Sequence, residues 1–328
     1  MSITTCAARA RRCLCFLALA LAAIPLLAQP AVYPSRVLTF VVPFAAGSAT
    51  DQIARAIATS ITEQTRQPVV VDNRGGASGM IAAQQVARAA ADGYTVLITT
   101  NTTQAANPHL FKKLPYDPQA DFTPVTALGR GGQVLVVRAD GPHKSVAEFL
   151  SAARAQAGKL SFGAGNSSSR IAGEMLKQLS HTDLLYVPYK SNPNALTDLL
   201  GGQIDAMVID TVTGLPHIES GKLRPLGAST ARRLSLLPQV PTLDEAGVKG
   251  YDIGYWFAAY VPAATPAPVV VKLRELLVHA TGSPAARSFY ASSGVEPWTT
   301  GSAELAQFQA RDSQKWARVI KAAGISPE

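Results

Sequence analysis

A loop of small residues, between an apolar strand and a helix, is the first candidate for binding chemistry. The apolar run at residues 37–42 is suited to a strand buried on both faces, and Pro43 ends it. Ser48 can cap a helix that carries isoleucines at four-residue spacing. Free N–H groups at a helix start attract carboxylates or phosphates. The pattern therefore predicts an anion-binding loop made of Phe44, Ala45, Ala46, Gly47, Ser48 and Asp51.

Similar polar loops follow the other apolar strands along the chain. In an open parallel sheet, ligands bind outside the carboxyl ends of the strands, so we expect these loops to face one another across a cleft. The loops in the first third of the chain contribute Ala77, Ser78, Gly79, Thr100 and Asn101. The loops in the middle of the chain contribute Gly163, Asn166, Ser167, Ser168, Arg170, Asp210 and Thr211.

Several of these side chains have a structural interpretation beside the binding one. Asp51 lies where a capping box places an acidic side chain, three residues after Ser48, so it either caps the helix or contacts the ligand. Ser167 and Ser168 either cap the following helix or bind the ligand. Arg170 lies near a helix start, where a positive charge opposes the helix dipole. It is either a solvated surface arginine or a bidentate partner for a ligand carboxylate.

Signatures of catalysis and of metal binding are absent from the sequence. The five histidines are scattered without the spacing of a zinc motif, and no G-x-S-x-G elbow occurs. The glycines at positions 163 and 165 are too few for a dinucleotide fingerprint. We therefore predict a binding protein with no catalytic residues, no metal site and no cofactor.

Residues 1–31 have the composition of a secretory signal peptide. Three arginines precede an uncharged apolar run at residues 13–27, and small residues suited to cleavage follow it. All three cysteines of the chain lie in this leader, so the mature protein is predicted to lack disulfides. The alternative, a retained membrane anchor, is disfavoured because the apolar run is short for a spanning helix. We expect a soluble periplasmic protein.

Length, charge and the alternation of strands and helices indicate a two-part α/β protein. The 328 residues are 47% hydrophobic, which is enough for two ordinary cores. The net charge is +8, and without the three arginines of the leader it is +5, a mild excess that favours small anions. No dense block of Lys and Arg argues for nucleic acid. Strands separated by helices imply βαβ units and a parallel sheet. The pattern breaks at the Pro-rich residues 107–121 and restarts, so we predict boundaries near residues 128 and 228.

Several segments together resemble the Bug family, the periplasmic receptors of tripartite tricarboxylate transporters. These segments, in chain order, are VPFAAGSATDQIAR, VVDNRGGASGMIAAQQVARAAADGYT, LPYDPQADFTPVT, VPYKSNPNALTDLLGGQIDAM, GKLRPL and LPQVPTLDEAG. The resemblance implies a type II periplasmic binding fold, in which two Rossmann-like lobes close on an organic acid. It also implies delivery of that acid to a two-component integral membrane permease.

The resemblance also implies which loops hold the ligand. In that family a carboxylate is bound by backbone amides and waters in the loops after the first two strands, which correspond here to residues 44–51 and 77–79. The chain departs from the family pattern at two positions. Where the family usually has a Gly-Gly pair, this chain has Gly47-Ser48, and the serine adds a hydroxyl. Where the family commonly has a histidine, this chain has Arg170, which adds a positive charge. Both departures concern the identity of the ligand and leave the expected fold unchanged.

The combined prediction is a monomeric periplasmic solute-binding receptor for a small mono- or dicarboxylate. Residues 1–31 are the signal peptide, residues 32–128 plus 229–328 form one lobe, and residues 129–228 form the other. Two alternatives stay open at this point. One is a periplasmic sensor that presents its closed form to a signalling partner, and the other is a secreted α/β enzyme that acts on an organic acid.

Overall fold

The computed structural model describes residues 33–328, and the predicted signal peptide at residues 1–31 lies outside them. The strands in this range are β1 (Leu38–Val42), β2 (Val69–Asn73), β3 (Thr95–Thr100), β4 (Phe122–Arg138), β5 (Ser161–Ala164), β6 (Leu185–Pro188), β7 (Ala206–Asp210), β8 (Leu223–Ala228) and β9 (Gly254–Pro262). The α-helices are α1 (Ala49–Thr65), α2 (Met80–Ala87), α3 (Asn107–Leu110), α4 (Val146–Ala155), α5 (Ser167–Ser180), α6 (Asn192–Leu200), α7 (Thr211–Glu219), α8 (Ala267–Thr281), α9 (Pro284–Ser293) and α10 (Ser302–Ala322). A 3₁₀ turn, Ala77–Gly79, precedes α2, and a π-helical turn, Thr102–Ala106, follows β3.

The predicted unit of strand, loop and helix at the start of the described range is present. Phe40 and Val41 of β1 are fully buried, as expected for a strand covered on both faces. The helix α1 begins directly after Ser48, whose side chain accepts a hydrogen bond from the first turn. The apolar face of α1 packs into the core through three fully buried isoleucines, Ile53, Ile57 and Ile61.

The strands form one mixed sheet, in the order β2-β1-β3-β9-β4-β7-β5-β6, with β8 paired to β4. The pairs β1–β2, β1–β3, β5–β6 and β5–β7 are parallel, as the alternation of strands and helices predicts. By contrast, β9 is antiparallel to both β3 and β4, and β4 is antiparallel to β7 and β8. The prediction of a parallel sheet is therefore confirmed for its two outer parts and is wrong for its centre.

The long strand β4 joins these two parts of the sheet. Its first part pairs with β9, from Phe122 to Gly132, and the part from Gln133 onwards pairs with β7 and β8. The predicted boundary near residue 128 thus falls inside a continuous strand. The first part of β4 contains a proline and three glycines, which are unusual inside strands. The sequence pattern therefore did not predict a strand there. Residues 36–328 form one compact unit.

The helix α10 covers one side of the sheet with an amphipathic face. Leu305, Trp316 and Ile320 are buried on this face, and Trp316 donates a hydrogen bond from Nε1 to Asp312 on the same helix at 2.9 Å. Among the described helices, α10 included, none combines the length and the apolar character that crossing a bilayer requires.

Candidate functional site

A small cavity lies where several strands end and helices begin. Its unoccupied space is about 400 Å³, counted out to its open mouth. This volume is within the range of pockets that bind small molecules. The lining residues are Phe44, Ser48, Ala49, Thr50, Thr100, Asn101, Thr102, Gln133, Asn166, Ser168, Asn192, Asp210, Tyr255 and Phe257.

The first turn of α1 offers two backbone donors to this cavity. The Ser48 hydroxyl accepts the Asp51 N–H at 3.3 Å, which satisfies one of the free N–H groups of the helix start. The N–H groups of Ala49 and Thr50 have no acceptor within residues 33–328, and both residues line the cavity. Free N–H groups at the positive end of a helix dipole favour a bound anion.

The Asp51 carboxylate has a structural role next to these donors. It accepts the Gly47 N–H at 2.9 Å and is paired with Arg55 at 2.9 and 3.0 Å. Burial raises the pKa of Asp51, but the hydrogen bonds from Arg55, Gly47 and Asn73 outweigh burial, so its pKa lies below the ordinary value. The capping interpretation of Asp51 accounts for its contacts, and Asp51 is not among the lining residues.

Two further helix starts face the cavity from the other part of the sheet. The Asn166 side chain accepts the Ser169 N–H at 2.8 Å and caps α5. The Asp210 carboxylate caps α7 by accepting the Thr213 N–H at 2.8 Å, and it also accepts a hydrogen bond from Asn192 at 3.0 Å. Three helix N-termini thus converge on one cavity, and their dipoles make it favourable for negative charge.

No Lys or Arg of the described chain lines the cavity, and its one formally charged lining residue is Asp210. Within residues 33–328 no group of three His, Cys, Asp or Glu side chains is arranged to hold a metal ion. An anion in this cavity is therefore held by neutral donors, namely backbone N–H groups, hydroxyls and amides.

Three buried polar atoms of the lining have no hydrogen-bond partner in the described part of the chain. They are Asn101 Oδ1, Thr102 Oγ1 and Gln133 Oε1. The orientation of the Asn101 amide follows from its neighbour, because its Nδ2 donates to the Gly254 carbonyl at 3.4 Å. Unsatisfied buried polar groups are costly, so these atoms indicate a place built to be completed by a polar ligand or by water.

Aromatic side chains form the apolar wall of the cavity. Phe44 follows β1, while Tyr255 and Phe257 lie on β9, where alternate residues point to the same face. The rings of Tyr255 and Phe257 are 5.2 Å apart, and the Tyr255 hydroxyl is 3.2 Å from that of Thr211. Burial raises the pKa of Tyr255, so its phenol stays protonated and able to donate.

Seven of the predicted site residues line the cavity: Phe44, Ser48, Thr100, Asn101, Asn166, Ser168 and Asp210. The other predicted residues do not line it: Ala45, Ala46, Gly47, Asp51, Ala77, Ser78, Gly79, Gly163, Ser167, Arg170 and Thr211. Gly79 instead packs against Pro43 and Thr103, and Gly163 lies within the core beside Ile204. The Arg170 guanidinium pairs with Glu328 at 2.5 Å and lies over the Tyr186 ring.

Some lining residues were missed by the sequence analysis. They are Ala49, Thr50, Thr102, Gln133, Asn192, Tyr255 and Phe257. Ala49 and Thr50 directly follow the predicted cap, so the free N–H groups of a first turn are a signal that could have found them. Gln133, Tyr255 and Phe257 carry no local signal, because they reach the cavity only through the pairing of β4 with β7 and of β9 with β4.

An α/β sheet with helix N-termini gathered around a small cavity is an arrangement typical of proteins that bind small anions. The model of the tripartite tricarboxylate transporter family receptor matches residues 53–325, and the chain belongs to this family. BugT of Bordetella pertussis is 32% identical over 295 residues, which cover 89% of this chain and 90% of that protein. The prediction of a Bug-type receptor is confirmed.

Two solved structures are similar to this chain in both fold and sequence. An R. palustris protein with adipate has a TM-score of 0.87 and 35% identity, covering 90% of this chain and 100% of that one. MatC from Rhodopseudomonas palustris with bound malate has a TM-score of 0.83 and 32% identity, covering 88% and 100%. The protein is a periplasmic solute-binding receptor of this type, and the alternative of a secreted enzyme is wrong because the family consists of receptors.

Proposed function

We propose that the protein captures a small mono- or dicarboxylate in this cavity and delivers it to a two-component integral membrane permease. The observation that carries the proposal is the pair of free N–H groups on Ala49 and Thr50, two residues that line the cavity together with residues of other helix starts. The adipate and malate in the two solved structures support a carboxylate ligand. One ligand carboxylate accepts hydrogen bonds from the first turn of α1.

The rest of the ligand lies between the aromatic wall and the unsatisfied amides. Phe44, Tyr255 and Phe257 contact its carbon skeleton, so the shape of the wall selects chain length and branching. Asn101 and Gln133 offer acceptors to a hydroxyl or to bridging water. Selectivity within the class of organic acids arises from this wall and these polar positions, since the anion site itself recognises any carboxylate.

Binding is coupled to closure of two lobes, residues 32–128 plus 229–328 and residues 129–228. The course of β4 through both parts of the sheet supports this division, because a shared strand can bend while the two parts keep their own packing. Closure then removes water and strengthens the contacts to the anion.

The predicted leader at residues 1–31 directs the chain to the periplasm, where it acts as a monomer. The sensor alternative predicts the same cavity and the same closure, so it differs only in the partner of the closed form. Deletion of the gene separates the two: transport of the ligand stops if the protein is a transport receptor and continues if it is a sensor.

The experiment that tests the ligand class is a thermal-shift screen of mono- and dicarboxylates, adipate and malate included, followed by calorimetry. An acid that binds only the native state stabilises it by RT ln(1 + c/Kd) at a free acid concentration c, so true ligands raise the melting temperature. Mass spectrometry of the protein as purified identifies any acid carried through. A panel with no stabilising acid, and no acid in the purified protein, would refute the proposal.

A further inference from the structure

Side chains in the first turn of α5 make two contacts, a hydrogen bond and an ion pair, that are not part of the binding site. The Ser167 hydroxyl donates a hydrogen bond to Asn107 Oδ1 at 2.7 Å, and both residues are buried. The Asn107 amide is in turn held in place, because its Nδ2 donates to the Ser78 carbonyl at 3.0 Å and to the Tyr116 hydroxyl at 3.3 Å. Ser167 therefore meets a fixed partner.

The second contact is the ion pair between Arg170 and Glu328. Arg170 Nη1 is 2.5 Å from Glu328 Oε1, and the Arg170 side chain is only 17% exposed. Its guanidinium lies 5.1 Å from the centroid of the Tyr186 ring. Glu328 is also fixed, because its N–H donates to the Leu110 carbonyl at 2.8 Å and its carbonyl accepts the Lys112 N–H at 2.7 Å.

Both contacts link the same two regions of the molecule. Ser167 and Arg170 lie on α5, within residues 129–228, whereas Asn107 and Glu328 lie in the remainder of the chain. The turn that makes these contacts also lines the cavity through Ser168. The partners are therefore in contact only while this turn packs against residues 107–112. Separation of the two regions breaks both contacts.

We propose that these two contacts form a clasp that stabilises the closed receptor and sets its ligand affinity without touching the ligand. The proposal rests on the closure described under the proposed function. Ser167 and Arg170 are then positioning residues, which hold the start of α5 over the cavity. Because ligand and clasp both favour the closed form, each strengthens the other, and the clasp contributes to affinity by that coupling.

A structural role alone predicts a different pattern of effects. If the ion pair merely stabilises the fold, its loss lowers the melting temperature and leaves the dissociation constant unchanged. If it is a clasp, its loss raises the dissociation constant, mainly through faster release of the ligand. The expected change is about two- to five-fold for each single variant, because Glu328 is partly exposed to water. High salt reduces the difference between wild type and variant.

The test compares Arg170→Met, Glu328→Gln and the double variant by calorimetry with the acid that gives the largest thermal shift. The double variant is expected to bind no more weakly than either single variant, because all three lack the same ion pair. Arg233→Met is the matched control, since Arg233 pairs with Glu245 at 2.8 Å inside residues 229–328 alone. The control is expected to bind as wild type does.

A second measurement, which needs no ligand, tests the clasp even if the protein does not bind a carboxylate. Small-angle scattering of the ligand-free protein is expected to give a larger radius of gyration for the double variant than for wild type and Arg233→Met. If wild type binds no acid of the panel, the proposed function is refuted. Scattering alone then tests the clasp. Unchanged affinity together with an unchanged radius overturns the clasp, and so does an equal loss of affinity in the control.

Discussion

Ser48 and Asp51 cap the same helix start in opposite directions. The Ser48 hydroxyl accepts the Asp51 N–H at 3.3 Å, while the Asp51 carboxylate reaches back to accept the Gly47 N–H at 2.9 Å. This exchange satisfies the donors on either side of Ala49 and Thr50, and the N–H groups of those two cavity-lining residues stay without an acceptor in the described part of the chain. The cap thus determines which donors of the loop are available to an anion.

Replacing Ala49 by proline is expected to weaken carboxylate binding at least ten-fold without unfolding the protein. Proline removes one of the two free N–H groups, and a hydrogen bond to a charged group contributes about 1.5 kcal/mol or more. Proline is tolerated at the first position of a helix, and Ser48 already has the extended backbone that a following proline requires, with φ −68° and ψ 158°. Calorimetry measures the affinity, and Ala49→Gly, which keeps the N–H, is expected to bind normally.

In the Arg170→Met variant, which lacks the ion pair with Glu328, the affinity for the carboxylate is expected to change by less than about two-fold between roughly 50 and 500 mM NaCl, because screening acts mainly on exposed charges. The cavity has no lining Lys or Arg among the described residues, and its donors are buried dipoles. Titrations at several salt concentrations check this prediction. A steep loss of affinity with salt would instead mean that an arginine or lysine contacts the ligand.

Asp51→Asn is expected to lower the free energy of unfolding by about 1 kcal/mol at pH 7, since it weakens the cap and the pairing with Arg55. The folded pKa of Asp51 lies below 3.8, so its contribution is present above that value and is lost as the pH falls through the folded pKa. Urea unfolding at pH 7 and at about pH 3 should therefore show a smaller gap between wild type and variant at the lower pH. A gap of the same size at both values contradicts the assignment.

Alanine substitution is expected to lower the free energy of unfolding more at Gly79 than at Gly47. Both glycines have positive φ, +82° and +79°, so both substitutions strain the backbone by about 1–2 kcal/mol. A Cβ on Gly79 would also stand 2.7 Å from Thr103 Cγ2 and 2.9 Å from Pro43 Cβ, whereas a Cβ on Gly47 meets no atom within 4 Å. Overpacking adds about 1–3 kcal/mol at Gly79, which chemical denaturation can resolve.

Asn192→Asp is expected to make the stability of the protein depend on pH. Asn192 donates to the Asp210 carboxylate at 3.0 Å, so the variant places two carboxylates in contact. At pH 7.5 their repulsion destabilises the fold, and one of them takes up a proton as the pH falls to about 5, which relieves the repulsion. The free energies of unfolding at the two values measure the effect, with Asn192→Ser as the uncharged control.

Much of the fold and part of the site follow from local patterns. The apolar run of β1, the cap at Ser48 and the isoleucines of α1 are near neighbours in sequence, and their interactions form within one short segment. The same holds for Asn166 and Asp210, which follow strands and cap the next helix. These local rules predicted half of the cavity lining.

The sequence by itself determined the alternation of strands and helices, the helix starts that favour an anion, and the family to which the chain belongs. Only the tertiary structure decided that Gln133 and Tyr255 reach the cavity, because each pairs with a distant part of the chain, Gln133 with Asp210 and Tyr255 with Gly131. It likewise decided that Arg170 forms an ion pair with Glu328 and does not line the cavity. Caps and turns depend on residues a few positions apart, whereas ion pairs and sheet registers depend on which surfaces the whole chain brings together.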